Sequence, residues 1–144
     1  MGSKKIGYAL MSVYTLIMVW LLFVQRLGQN AGSLNLQLFD TLRRYLWVLE
    51  NSTDPDQRSH AIVNLVGNVA MFVPLGGLTP WIFSKIRKFG WHFLTMTLVI
   101  VGIELLQLLT SLGTCDIDDL LLNLLGTALG FGIWKWIYGK YSGC

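Results

Sequence analysis

The sequence predicts an all-α, polytopic membrane protein: a bundle of four transmembrane helices with an amphipathic helix in the first extracytoplasmic loop. Hydrophobic residues make up 53% of the 144 residues and charged residues only 13%, about half the charged share of soluble globular domains. Four windows contain the run of about 20 mainly apolar residues that is needed to cross the hydrocarbon core. Lysines and acids gather at opposite ends of these windows, as expected for loops on two sides of a membrane.

The four windows are residues 6–27, 61–83, 91–112 and 120–138, called spans 1 to 4 below. Together with the outer loop, residues 28–60, they form one predicted membrane domain that covers residues 1–144. Span 1 is too long for the apolar region of a signal peptide, and no convincing cleavage site follows it, so we expect a retained helix. Pro74 lies within span 2 and is expected to kink it near mid-membrane.

The distribution of charge predicts the orientation of the bundle. The cations at one end are Lys4, Lys5, Lys85, Arg87, Lys88, Lys135 and Lys140. Seven of the eight acids lie toward the other end, where Arg26, Arg43, Arg44 and Arg58 accompany them, and Glu104 lies inside span 3. Because cytoplasmic loops carry the excess of lysine and arginine, we expect both termini in the cytoplasm. This topology separates Cys115 from Cys144 and disfavours a disulfide between them.

The outer loop is long enough to hold structure. From residue 34 to 49 the apolar side chains follow a helical period, namely Leu38, Phe39, Leu42, Tyr45, Leu46 and Leu49. The pattern predicts an amphipathic helix that either lies in the outer interface of the bilayer or packs on the ends of the spans. Residues 51–59 are rich in turn-forming residues and are predicted to be an exposed loop.

Polar residues within and beside spans 2, 3 and 4 are the candidate ligand-binding residues, because polar groups inside a membrane are costly. They are Asn64, Asn68, Glu104, Gln107, Asp116, Asp118, Asp119 and Asn123. The rise of a helix places Glu104 about 3 Å, Asn68 about 6 Å and Asn123 about 9 Å outside the membrane midplane. The sequence therefore predicts a polar funnel that opens outward, with the acids of residues 116–119 at its lip.

Each of these residues also has a structural interpretation. Asparagine, glutamine and small residues such as Gly126 and Gly130 often hold membrane helices together. One acid among residues 116–119 suffices to cap the N-terminus of span 4, which leaves two acids unexplained. Glu104 is the hardest residue to assign to packing alone, since a carboxylate in hydrocarbon requires a partner or a proton. It is the candidate catalytic residue.

At these residues the sequence resembles the VanZ-like family of small bacterial membrane proteins. The resemblance is carried by NLVGN at 64–68 leading into FVPLG at 72–76, by ELLQ at 104–107, and by DIDDL at 116–120 continuing to Asn123, Gly126 and Gly130. Family members often show Asn-Leu-x-Pro-Phe after the first helix, where this chain has NLQLF at 35–39. An aromatic residue is common where Cys115 stands. The resemblance implies low-level resistance to teicoplanin, a lipid-bearing glycopeptide that acts outside the membrane.

Three functions remain open at this stage. The first is a non-enzymatic factor whose funnel binds a lipid-linked cell-wall precursor or a lipoglycopeptide and so reduces access of the drug. The second is a membrane enzyme that acts on a lipid-linked substrate through Glu104, with a divalent cation held by Asp116, Asp118 and Asp119. The third is a structural subunit of a membrane complex.

The residue types in the matched segments bear on the second of these functions, the enzyme. The matched segments contain no histidine nucleophile, no Cys–His pair and no arginine-rich phosphate clamp, which disfavours the enzyme, although Arg43 and Arg44 are placed to fold over the funnel mouth. The lipid bilayer is the expected partner. The dispersed lysines and arginines give no support to nucleic-acid binding.

Overall fold

The computed structural model describes residues 2–24, 27 and 33–139. In this part of the chain the elements are α1 (Gly2–Leu22), β1 (Ser33–Asn35), α2 (Asp40–Asn51), α3 (Pro55–Ile82), α4 (Phe89–Leu109), β2 (Thr114–Asp116) and α5 (Ile117–Tyr138). A short 3₁₀ turn, Ser84–Ile86, connects α3 to α4. Arg26, Lys140 and Cys144, which contributed to the topology prediction, lie outside the described residues.

Four of these helices, α1, α3, α4 and α5, are long and apolar enough to cross a membrane. They correspond to spans 1 to 4, so the predicted all-α polytopic class is confirmed. The core of the bundle centres on Phe72 and Ile100, which are fully buried, with Met18 and Leu124 packed against them. Large apolar side chains cover the outward faces, where a bilayer would solvate them.

The two helices in closest contact are α3 and α5, which meet at backbone distance. A Cβ atom on Gly126 or Gly130 would overlap the carbonyl oxygen of a valine on α3. A Cβ atom on Gly76 would lie 2.8 Å from the carbonyl carbon of Thr127. Small residues permit this approach in membranes, where close packing drives helix association. These glycines therefore hold the bundle together.

The outer loop differs from its prediction at its start. The helix predicted from residue 34 begins at Asp40, because Ser33–Asn35 forms β1 and pairs in parallel with β2. In this register Leu34 lies opposite Cys115, and Asn35 lies opposite Asp116. A three-residue pairing between segments far apart in the chain leaves no local periodicity in the sequence. The helical period was therefore extended toward the N-terminus over residues that form β1 and the turn before α2.

The end of the outer loop differs as well. Residues 51–59 were predicted to be an exposed loop, but α2 runs to Asn51 and α3 already begins at Pro55. Asp54 caps α3, since its side chain accepts a hydrogen bond of 2.9 Å from the N–H of Asp56. Proline suits the first turn of a helix, where its missing N–H breaks no bond. The turn-forming residues thus mark a helix start.

The amphipathic helix α2 packs on α3 and α5, at the ends of the spans. Thr41 is buried in this contact, whereas Leu46 and Trp47 stay exposed on the other side of α2. The structure thus agrees with the alternative in which this helix packs on the ends of the spans, and Leu46 and Trp47 leave an apolar edge on its exposed side.

We expect Gly126→Ala to lower the free energy of unfolding by about 1–3 kcal/mol, as overpacking does in a tightly packed interior. The matched control is Gly67→Ala on α3, where an added Cβ meets nothing within 4 Å. Thermal denaturation midpoints of the purified proteins in detergent provide the comparison. Equal midpoints for the two variants would contradict direct backbone contact between α3 and α5.

Candidate functional site

Two polar pairs link the spanning helices through α5. Asn68 on α3 donates a hydrogen bond of 2.6 Å to Asp119 on α5. Asn123, one turn farther along α5, donates a bond of 3.4 Å to Glu104 on α4. Asn68, Glu104 and Asn123 are all buried. The structure therefore brings four of the eight predicted residues into one polar column along α5.

Asn123 retains an acceptor for hydrogen bonds. Its Oδ1 atom is buried and has no hydrogen-bond partner among the described residues, and only 4% of the residue is exposed. A buried acceptor without a donor costs about 1–3 kcal/mol. Beside the Glu104 carboxyl, this amide oxygen is suited to accept a bond from a hydroxyl or ammonium group.

Asp118 caps a helix other than its own. Its two carboxylate oxygens accept hydrogen bonds from the backbone N–H groups of Phe39, at 2.7 Å, and Leu42, at 3.0 Å, at the start of α2. Phe39 has a φ of 65° and supplies no capping side chain, and an aromatic residue in this left-handed region is strained. A carboxylate at a helix N-terminus also opposes the positive end of the helix dipole. Asp118 thus replaces the missing cap.

Asp116 holds the outer segments together. Its side chain accepts a hydrogen bond of 2.8 Å from the N–H of Asp118 and so caps α5. It also accepts bonds from the Thr41 hydroxyl, at 2.5 Å, and the Asn35 amide, at 3.2 Å. Sequence reasoning missed Asn35 and Thr41 as its partners, although Asn35 opens the NLQLF segment already singled out.

The three acids of residues 116–119 therefore serve three separate contacts. Asp116 and Asp118 are buried under β1 and α2, and Asp119 reaches Asn68. Within the part of the chain that the structure describes, no group of three or more His, Cys, Asp and Glu residues is arranged to hold a metal ion. Asp116 and Asp118 lie beneath a cap formed by β1 and α2, called the outer cap below, so this part of the lip of the predicted funnel is covered.

Gln107 and Asn64 lie outside the polar column and donate hydrogen bonds to backbone carbonyls. The Gln107 amide donates a bond of 3.1 Å to the carbonyl of Leu22, the last residue of α1. Carbonyls at a helix end lack partners within the helix, so this bond anchors α1 to α4. Asn64 donates to the carbonyl of His60 at 2.9 Å, within its own helix.

Cys115 on β2 interacts electrostatically with Glu104 and Asp116. Burial raises the pKa of the Cys115 thiol, and the negative charges of Glu104 and Asp116 raise it further. Because the thiolate is the reactive form of cysteine, this thiol is poorly reactive at neutral pH.

An outer cavity of about 320 Å³ lies between α2 and the start of α3, lined by Arg44, Tyr45, Val48, Asp56, Gln57 and His60. The Arg44 guanidinium lies 5.5 Å from the centre of the Tyr45 ring, and the His60 ring meets that ring edge-on. Burial raises the pKa of Tyr45, and the charge of Asp119 adds to the increase. Tyr45 therefore lines the cavity and interacts electrostatically with Asp119 of the polar column.

Sequence reasoning missed most of this cavity. Asp56 and Gln57 lie four and three residues before His60 at the start of α3, so each neighbours it on the helix surface, but residues 51–59 were predicted to be an exposed loop. The Asp54-Pro55 pair was the local signal that could have revealed this helix start. Arg44 was expected to fold over the mouth of the site, and it lies at the cavity.

A family model described as VanZ/LLP1 matches residues 10–138. The match extends from α1 to the end of α5 and includes both polar pairs. No curated protein and no solved structure matches the chain.

We expect Asp118→Ala to loosen the start of α2, because it removes both acceptors for the N–H groups of Phe39 and Leu42. Loss of a helix cap costs about 0.5–2 kcal/mol, and hydrogen–deuterium exchange at residues 39–42 should quicken accordingly. The control is Glu50→Ala, at an exposed acid in the last turn of α2. Unchanged exchange in Asp118→Ala would contradict capping by α5.

Proposed function

The chain belongs to the VanZ/LLP1 family and is a multi-pass membrane protein, and from this premise we propose that it is a non-enzymatic factor that binds a lipid-linked cell-wall precursor or a lipoglycopeptide at its outer end. In this proposal, occupancy of the site reduces access of teicoplanin to the precursor and so lowers susceptibility to the drug.

The observation that carries the proposal is the buried pair of Glu104 and Asn123. A glutamine would accept the same bond from the Asn123 amide, so this bond alone does not explain a carboxylate at this position. The Asn123 Oδ1 atom, without a partner in the described residues, supplies a further acceptor. Hydroxyl and ammonium groups of sugars are donors that match a carboxyl and an amide oxygen.

The outer cavity supports the proposal as an entrance. Arg44, Asp56 and His60 on its walls offer a cation, an anion and an imidazole to a polar ligand. The neighbouring edge of α2 exposes Leu46 and Trp47, side chains that favour the membrane interface. A ligand with a sugar head and a lipid tail matches this arrangement of polar and apolar surfaces.

The proposal also requires that the cap face the outside of the cell and that the lysine-rich end face the cytoplasm. The positive-inside tendency supports this orientation, since Lys4, Lys85 and Lys135 lie at the end away from the cap.

We expect Thr53→Cys to react with a membrane-impermeant maleimide on intact cells and Lys85→Cys to react only after permeabilisation. Both variants are made in a Cys115→Ser, Cys144→Ser background, and both positions are exposed. Expression of each variant is checked by labelling of denatured protein. Labelling of position 85 in intact cells would contradict the proposed orientation.

We expect Glu104→Gln to abolish protection against teicoplanin while the free energy of unfolding stays unchanged or rises. The substitution keeps the acceptor for Asn123 and removes a buried ionisable group, which is costly inside a membrane. Asp119→Asn should behave alike, because Asp119 lies on the same polar face of α5 as Asn123 and the substitution keeps an oxygen acceptor for Asn68. The control is Glu50→Gln on the exposed face of α2.

Drug susceptibility is measured in cells that produce equal amounts of each protein, beside melting curves of the purified proteins. Full protection by folded Glu104→Gln would refute the proposal. The purified protein is also incubated with a lipid-linked precursor, and the molecular mass of the recovered lipid is measured by mass spectrometry. Recovery at unchanged mass is expected, and a changed mass would favour the enzymatic alternative.

A further inference from the structure

A groove runs between α1 and α4 at the lysine-rich end of the bundle. Its volume is about 660 Å³, and its walls come from α1, the last turns of α3, the 3₁₀ turn and α4. We propose that this groove holds one anionic phospholipid of the surrounding leaflet. Its phosphate lies between Lys4 and Lys85, and one acyl chain lies along the apolar walls. This site lies at the opposite end of the bundle from the proposed ligand site.

The length of the groove matches one leaflet of a bilayer. On α1 the lining residues are Lys4, Tyr8, Met11 and Thr15, which recur every three or four residues and so share one helix face. From Lys4 to Thr15 the helix rises about 16 Å. Half of the hydrocarbon core measures about 15 Å. A chain that enters beside Lys4 therefore reaches the membrane centre within the groove.

The groove walls accept hydrocarbon without stranding the hydroxyl groups of two lining threonines. The hydroxyl of Thr79 donates to the carbonyl of Leu75 at 2.7 Å, and that of Thr95 donates to the carbonyl of Trp91 at 2.8 Å. Burial of a hydroxyl is costly only when its hydrogen bond is lost. Met96 and Val99 supply further apolar surface.

The mouth of the groove has the chemistry of a phosphate site at a membrane surface. Lys4 and Lys85 are exposed there, and basic pockets between membrane helices recognise anionic head groups. The rings of Tyr8 and Phe83 meet edge-on at 6.1 Å beside it, as aromatic residues often do at the interface.

A second groove provides an internal comparison. It lies on the other side of α1, against α3 and α5, with a volume of about 490 Å³, and the residues that line it carry no charge. An acyl chain would fit either groove by its apolar character. The two lysines single out the first groove for a lipid with a negative head group.

The test uses the full-length protein, stripped of lipid in detergent and titrated with phosphatidylglycerol or with phosphatidylcholine of the same acyl chains. Native mass spectrometry counts bound lipid, and thermal denaturation gives the accompanying stabilisation. We expect one tightly retained phosphatidylglycerol and no comparable retention of phosphatidylcholine. Inorganic phosphate should not compete at equal concentration, since the acyl chain contributes to binding. Equal retention of both lipids, or displacement by inorganic phosphate, would overturn the proposal.

The double variant Lys4→Gln, Lys85→Gln should bind phosphatidylglycerol about 25-fold more weakly, since each lysine near an anionic lipid contributes about fivefold. The matched control is Lys88→Gln, Lys135→Gln, which removes the same charge at the same end of the bundle but outside the groove. Val99→Phe tests the apolar wall, because it narrows the groove and leaves both lysines in place. Equal weakening in the two double variants, or undiminished binding by folded Val99→Phe, would overturn the proposal.

Discussion

The close approach of α3 and α5 is the constraint on which the rest of the structure depends. With glycine at positions 76, 126 and 130, the two backbones touch and fix the rotation of α5 about its axis. That rotation directs Asp119 toward Asn68 and, one turn later, Asn123 toward Glu104. The geometry of the polar column is therefore a consequence of the packing of α5 against α3.

The outer cap satisfies the free backbone groups at two helix ends. The N-termini of α2 and α5 each present N–H groups with a partial positive charge. The carboxylates of Asp118 and Asp116 accept hydrogen bonds from these N–H groups. The short parallel pairing of β1 with β2 holds both segments in register. The dense negative charge at the start of α5 is thereby distributed over hydrogen bonds and helix dipoles.

Much of this arrangement follows from local sequence signals. The four membrane spans could be predicted from their length and apolar character. The helical rise alone placed Asn68, Glu104 and Asn123 at neighbouring depths in the membrane. The start of α3 was readable too, from Asp54 and Pro55, but the turn-forming residues around them obscured it. Long-range partners were not readable: the two strands, the capping of α2 by Asp118 and the bond from Gln107 to Leu22 join segments 75 or more residues apart.

The capping of α2 by Asp118 has a consequence for biogenesis. Its two bonds join residues 79 and 76 positions apart, so a ribosome has synthesised most of the protein before the start of α2 can acquire its cap. Three earlier membrane helices are by then available for insertion, while Phe39 still lacks the carboxylate that stabilises its left-handed backbone. Delivery of residues 114–118 to the side of the membrane that holds α2 completes the outer end. Placement of this second, short loop beside α2 is thus the step that completes the structure.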